Sequence, residues 1–81
     1  MQVEEIKKLL ESHLAGCSAT IESKDGRHFN ATVVSEEFTG KSRVQQQRLV
    51  YSVLGEAITN GGIHALSLKT FTPQEWTAQR G

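Results

Sequence analysis

The chain has 81 residues, and its nine Lys and Arg balance nine Asp and Glu, so its formal net charge is zero. A chain of this length forms one domain with one small core, which leaves no room for a two-domain catalytic cleft. Zero net charge argues against binding of nucleic acid by bulk charge. The single cysteine excludes an internal disulfide and a Cys-x-x-Cys motif. We therefore expect the protein in a reducing compartment, the cytoplasm. No apolar run approaches the roughly 18 residues of a membrane span, so we expect no membrane segment.

Helix signals occur in four places: residues 3–14, residues 35–40, the segment from Ser42 to Asn60, and the segment that opens at Thr72. Apolar residues spaced three and four apart predict an amphipathic first helix that stops at Gly16. Ser35, Ser42 and Thr72 each precede a helical pattern and are predicted N-caps. The buried stripe of the main helix is predicted at Val50, Val53, Leu54, Ala57 and Ile58, and the helix is predicted to end at Asn60-Gly61-Gly62.

Residues 17–34 alternate around Asp25-Gly26, which predicts a β-hairpin. A three-residue loop with a left-handed Gly26 pairs Ile21 with Phe29, Ala19 with Ala31 and Cys17 with Val33. This register places the small and apolar residues on one face, whereas a two-residue loop mixes the two faces.

Residues 63–71 alternate as a third strand, which follows the main helix. A strand–helix–strand crossover favours a parallel pair, so the second and third strands are predicted parallel and the first antiparallel to the second. The predicted fold is α+β, in the order α-β-β-α-α-β-α, with a three-stranded mixed sheet and helices packed on one face.

Two histidines are the candidate metal ligands. His28 begins the second strand and His64 the third, so both are expected at the same end of the sheet, with Cys17 at the far end. His28 has the parity of the polar face, whereas His64 shares the parity of Leu66. Two imidazoles are too few for a closed protein site, so a metal would need ligands from a partner. The alternative for His64 is a polar side chain at a strand entrance, bonded to a nearby carbonyl.

Basic residues form the second candidate site. Lys41, Arg43 and Arg48 surround the start of the main helix, where cations and a helix N-terminus together favour anions. With Lys69, and with Gln45 and Gln46 expected to be exposed, they are the candidate nucleic-acid contacts. The alternative is a solvated charged face. We find no catalytic triad or carboxylate pair, which favours a binding protein over an enzyme.

Two segments carry a family resemblance: VVSEEFTGKSRVQQQRLVY at residues 33–51 and IHALSLKTFTPQEW at residues 63–76. Both resemble the signature blocks of the BolA family, and the likeness covers nearly the whole chain. The short hairpin with His28-Phe29 most resembles the acid-stress subgroup of that family. The resemblance implies a class II KH-like fold, in agreement with the predicted topology.

The resemblance also implies partnership with a monothiol glutaredoxin. In such complexes a 2Fe–2S cluster is shared: the glutaredoxin and glutathione supply thiolates, and the BolA-type protein supplies an invariant His and a loop His or Cys. By motif, His64 takes the invariant position and His28 the loop position, and no cluster is expected in the isolated chain. The alternatives are a DNA-binding regulator of stress or morphology genes and a metal-free stress-response interaction module. A weak homodimer is a further state that the sequence leaves open.

Overall fold

The computed structural model describes the backbone of residues 2–59 and 65–80 and the side chains of residues 2–55 and 66–79. The elements, in chain order, are α1 (Val3–His13), β1 (Ser18–Glu22), β2 (His28–Val34), a 3-10 turn (Glu36–Phe38), α2 (Arg43–Thr59), β3 (Ala65–Phe71) and α3 (Pro73–Arg80). The predicted order is confirmed, with the 3-10 turn as its fourth element. None of the helices in residues 2–59 and 65–80 is long and apolar enough to cross a membrane.

The sheet has the order β1-β2-β3, with β1 antiparallel and β3 parallel to the central β2, as predicted. Inner-face residues of β1 and β2 join buried residues of α1, the 3-10 turn and α2 in one core, and the half-buried Leu66 and Leu68 of β3 pack against it. Phe29 and Phe38 are its largest fully buried side chains, and burial of a side chain of this size contributes roughly 1.5–3 kcal/mol. The core consists of Ile6, Leu10, Leu14, Ala19, Phe29, Ala31, Val33, Phe38, Val50 and Leu54.

The predicted hairpin register is wrong by two residues. Ile21 pairs with Ala31 rather than Phe29, and Ala19 pairs with Val33, so the loop has five residues rather than three. Because side chains alternate with a period of two, an even shift keeps every residue on its predicted face. The loop is longer because its own side chains, rather than ladder carbonyls, accept hydrogen bonds from its backbone N–H groups.

The predicted helix caps are confirmed. Ser35 Oγ accepts from the backbone N–H of Glu37 at 3.1 Å, which opens the 3-10 turn. Ser42 forms a capping box at α2, in which its Oγ accepts from Gln45 N–H at 3.2 Å and its own N–H donates to Gln45 Oε1 at 2.9 Å. Thr72 and Glu75 repeat this pattern at α3. These side chains satisfy N–H groups that a helix start leaves without intrahelical partners.

Two further predictions are settled only in part. Val50 and Leu54 are buried and Val53 is half-buried, as predicted for the stripe of α2. The side chains of Ala57 and Ile58, and the predicted helix end at residues 60–62, lie outside the part of the chain that the structure describes.

Candidate functional site: the β1–β2 loop and the basic surface

The β1–β2 loop is closed by a single carboxylate. Asp25 Oδ1 accepts hydrogen bonds from the backbone N–H groups of Arg27 and His28, both at 2.9 Å. Ser23 Oγ accepts from the backbone N–H of Gly26 at 2.9 Å, and Gly26 has a φ of 76°, a left-handed conformation that favours glycine. The loop is therefore held by local contacts that end where β2 begins.

The imidazole of His28 is held by the same carboxylate. Its Nδ1 lies 2.7 Å from Asp25 Oδ2, and the two side chains are 63% and 51% exposed. Hydrogen bonds from the backbone N–H and the ring of His28 hold the pKa of Asp25 far below its usual range, so the aspartate is ionised at neutral pH. An ionised carboxylate only accepts hydrogen bonds, so Nδ1 is the donor of this contact.

His28 lies at the first position of β2, as the sequence predicts, and its Cα pairs with that of Ala65. The alternating burial of β2 places its side chain on the face opposite Phe29 and the core. His64, the chain neighbour of Ala65, lies outside the described residues, so its predicted approach to His28 stays a prediction.

The described residues at this end supply one imidazole that could be a metal ligand, that of His28. Within residues 2–59 and 65–80, no three His, Cys, Asp or Glu residues are grouped so that they could hold a metal ion. His28 is an exposed imidazole whose ring is oriented by a carboxylate, which is the usual environment of a histidine ligand. A 2Fe–2S cluster held here would therefore need thiolate ligands from other molecules.

Cys17 lies at the opposite end of the sheet from His28, as predicted. It precedes β1, whereas the sequence places it opposite Val33, and it is half-buried. Burial raises the pKa of its thiol to about 11, and the nearby carboxylates of Glu11 and Glu37 add to the rise. At neutral pH the side chain is therefore a thiol, whereas a metal ligand or nucleophile must be a thiolate.

The basic residues at the start of α2 are partly committed to contacts within the protein. Arg43 Nη1 donates to the carbonyl of Thr70, and its Nη2 lies 3.2 Å from Glu75 Oε2. The guanidinium also lies over the Phe71 ring, with its Cζ 5.5 Å from the ring centroid. Lys41 Nζ donates to the carbonyl of Glu37 at 2.8 Å. Arg43 thus links α2, β3 and α3, which is a structural role that its charge alone does not indicate.

Gln46, predicted to be an exposed base contact, is instead buried at 4% exposure. Its side-chain amide donates to the carbonyls of Phe38 at 3.1 Å and Lys41 at 2.9 Å, and its Oε1 accepts from Thr70 Oγ1 at 2.6 Å. The prediction is wrong because β3 packs against the face of α2 that carries Gln46 and buries its side chain. The amide is fully used inside the protein and presents no group to a base.

Arg48 and Lys69 are exposed, as predicted, and neither forms an ion pair in the part of the chain that the structure describes. Lys69 lies on the outer face of β3, where it lines a pocket together with Glu22, Asn30, Thr32 and Ser67.

Two side-chain hydrogen bonds were not predicted from the sequence. The sequence marks Asp25 as a turn residue and places it near His28, but it does not predict the hydrogen bond between the two side chains, although an Asp three residues before a His is a usable signal. The hydrogen bond between Gln46 and Thr70 joins residues 24 positions apart, and no local sequence pattern predicts it.

Comparison with known proteins identifies the family. A family model described as BolA-like protein matches residues 1–75. The chain is 41% identical over 80 residues to the acid stress protein IbaG of Escherichia coli (strain K12), an alignment that covers 99% of this chain and 94% of that protein. It is also 41% identical over 75 residues to a DNA-binding transcriptional regulator BolA of Vibrio cholerae, which covers 93% and 66% of the two chains.

The fold agrees with this match. The solved structure of a bolA protein homologue from Coxiella burnetii superposes with a TM-score of 0.78 at 39% identity, and the alignment covers 95% of this chain and 97% of that one. The element order and the mixed sheet derived from the sequence are therefore those of a known fold. The chain belongs to the BolA family.

Proposed function

We propose that this protein handles iron–sulfur clusters as the partner of a monothiol glutaredoxin, with which it shares a 2Fe–2S cluster. It acts in this proposal as a binding protein rather than an enzyme. The observation that carries the proposal is the exposed imidazole of His28 at the loop end of the sheet, oriented by the Asp25 carboxylate. A histidine that donates its one ring N–H to a carboxylate keeps the lone pair of the other ring nitrogen for a metal.

Ligand counting supports a shared cluster. His28 and His64 would supply the ligands of this chain, and the glutaredoxin and glutathione would supply thiolates. Histidine in place of cysteine raises the reduction potential of a 2Fe–2S cluster, so the complex should differ in spectrum and potential from the glutaredoxin alone. Cys17 takes no part, because its thiol lies at the far end of the sheet and stays protonated.

The direct test mixes the purified protein with a cluster-loaded monothiol glutaredoxin and glutathione and records the visible absorption and circular dichroism. We expect the wild type to change the cluster spectrum and His28→Ala to weaken or lose that change. His28 is 63% exposed, so its truncation should cost little stability.

The matched control is His13→Ala. His13 is an exposed histidine at the end of α1, where its Nδ1 contacts the carbonyl of Leu9 at 2.9 Å. This variant should behave as wild type, and the isolated protein should stay free of iron. A spectrum unaffected by His28→Ala, or stoichiometric iron in the protein purified without glutaredoxin and glutathione, would contradict the proposal.

DNA binding is the second candidate function. It is favoured by the name of the Vibrio cholerae relative and by the exposed cations Arg48 and Lys69. Each phosphate contact contributes about −0.9 to the slope of log K against log salt, so a few contacts on a neutral domain bind weakly. Since Arg43 and Gln46 are committed to internal contacts, we expect no sequence-specific binding at physiological salt and weak non-specific binding at low salt.

Fluorescence anisotropy with duplex DNA, over a range of salt concentrations, measures this directly. The double variant Arg48→Ala/Lys69→Ala removes the two exposed cations, and Lys7→Ala/Lys8→Ala on α1 is a charge-matched control. A footprint on a defined promoter at physiological salt, lost in the first double variant and kept in the second, would favour the regulator instead.

A further inference from the structure

One carboxylate holds both the backbone and the ring of the same histidine. Asp25 Oδ1 accepts the backbone N–H groups of Arg27 and His28, which fixes the orientation of the carboxylate. Its Oδ2 is thereby directed at Nδ1 of His28, at 2.7 Å. The geometry therefore leaves the imidazole one preferred orientation relative to the start of β2.

This contact also selects the tautomer of the ring. A neutral imidazole carries one hydrogen, and the nitrogen without it holds the lone pair that can bind a metal. Because the carboxylate accepts at Oδ2, the hydrogen of His28 lies on Nδ1 and the lone pair lies on Nε2. The ring is thus prepared to bind through the nitrogen that is farther from its own backbone.

We propose that Asp25 is a positioning residue that makes Nε2 of His28 the iron-binding atom. This inference rests on the proposed function for its iron, but its tautomer is a property of the protein alone. A purely structural role of Asp25, as the residue that closes the loop, is the competing explanation.

Asp25→Asn separates the two explanations. The side-chain oxygen of asparagine can still accept the backbone N–H groups of Arg27 and His28, so the loop can keep its closure. The second atom of the amide is a donor, so Nδ1 of His28 must now accept, and the ring hydrogen moves to Nε2. The lone pair then lies on the nitrogen that faces the loop.

The first experiment is nitrogen-15 NMR of the imidazoles in the protein alone, at a pH where they are neutral. We expect the Nδ1–H tautomer for His28 in the wild type and the Nε2–H tautomer in Asp25→Asn. Ser23→Ala removes the other side-chain hydrogen bond of the same loop and should keep the wild-type tautomer. An Nε2–H tautomer in the wild type would overturn the inference. This measurement uses only the wild-type protein, so it does not depend on whether the variants fold.

The second experiment titrates each variant into cluster-loaded glutaredoxin. For Asp25→Asn the concentration that produces half of the spectral change should rise about 10- to 100-fold, as for other residues that orient metal ligands. Ser23→Ala should titrate as wild type. An inverted tautomer with an unchanged titration overturns the role of Asp25. The absence of any spectral change with the wild type overturns the proposed function instead, while the NMR result stands.

Discussion

The His64→Ala variant is expected to lose the altered cluster spectrum of the glutaredoxin complex completely while unfolding at nearly the wild-type temperature. The resemblance predicts a cluster ligand at this position, and removal of one ligand would leave the iron incompletely coordinated. His64 is predicted at the entrance of the third strand, at the rim of the sheet, where truncation of a side chain costs little, so we expect a stability change within about 0.5 kcal/mol. Visible spectroscopy and thermal unfolding of the same samples measure both quantities.

His64→Cys sharpens this test, because a thiolate is itself a ligand of iron–sulfur clusters. This variant should regain cluster binding with a lower reduction potential than the wild-type complex, since histidine ligands raise the potential. His13→Ala again serves as the histidine control. A complex of His64→Ala that keeps the wild-type spectrum and potential would rule out His64 as a ligand.

The Gln46→Leu variant is expected to lose about 3 kcal/mol of unfolding free energy. Leucine has a similar volume but leaves the carbonyls of Phe38 and Lys41 and the hydroxyl of Thr70 without their buried partner. For a domain of this size such a loss lowers the melting temperature by roughly 12–24 °C. Urea and thermal unfolding followed by circular dichroism give both values.

The neighbouring glutamine provides the matched control. Gln47 is half-buried and forms no side-chain hydrogen bond within residues 2–59 and 65–80, so Gln47→Leu should change stability by no more than about 0.5 kcal/mol. Equal stabilities of the Gln46 and Gln47 variants would show that the buried polar group adds nothing to folding.

The candidate site was predictable where its signals are local. The alternation of β2 and the turn signal at Asp25-Gly26 located His28 at a strand start on the polar face, and the structure confirms that position. The length of the loop was not predictable. The side chains of Asp25 and Ser23 accept backbone N–H groups that the shorter loop would have paired between the strands, and the resulting register differs from the predicted one by two residues. A shift of two residues preserves both faces, so hydrophobic patterning does not distinguish the two registers.

The amino-acid sequence was sufficient to predict the element order, the three N-caps, the strand directions and the face of each strand. These features depend on residues a few positions apart, whose periodicity and capping chemistry are visible in one dimension. The sequence did not predict which of the three consecutive glutamines is buried or that Arg43 contacts β3 and α3. Both outcomes depend on contacts with Thr70, which lies 24 positions from Gln46 and 27 positions from Arg43. These contacts form only when α2 packs against β3, because the polar groups of α2 then lose water and need partners within the protein.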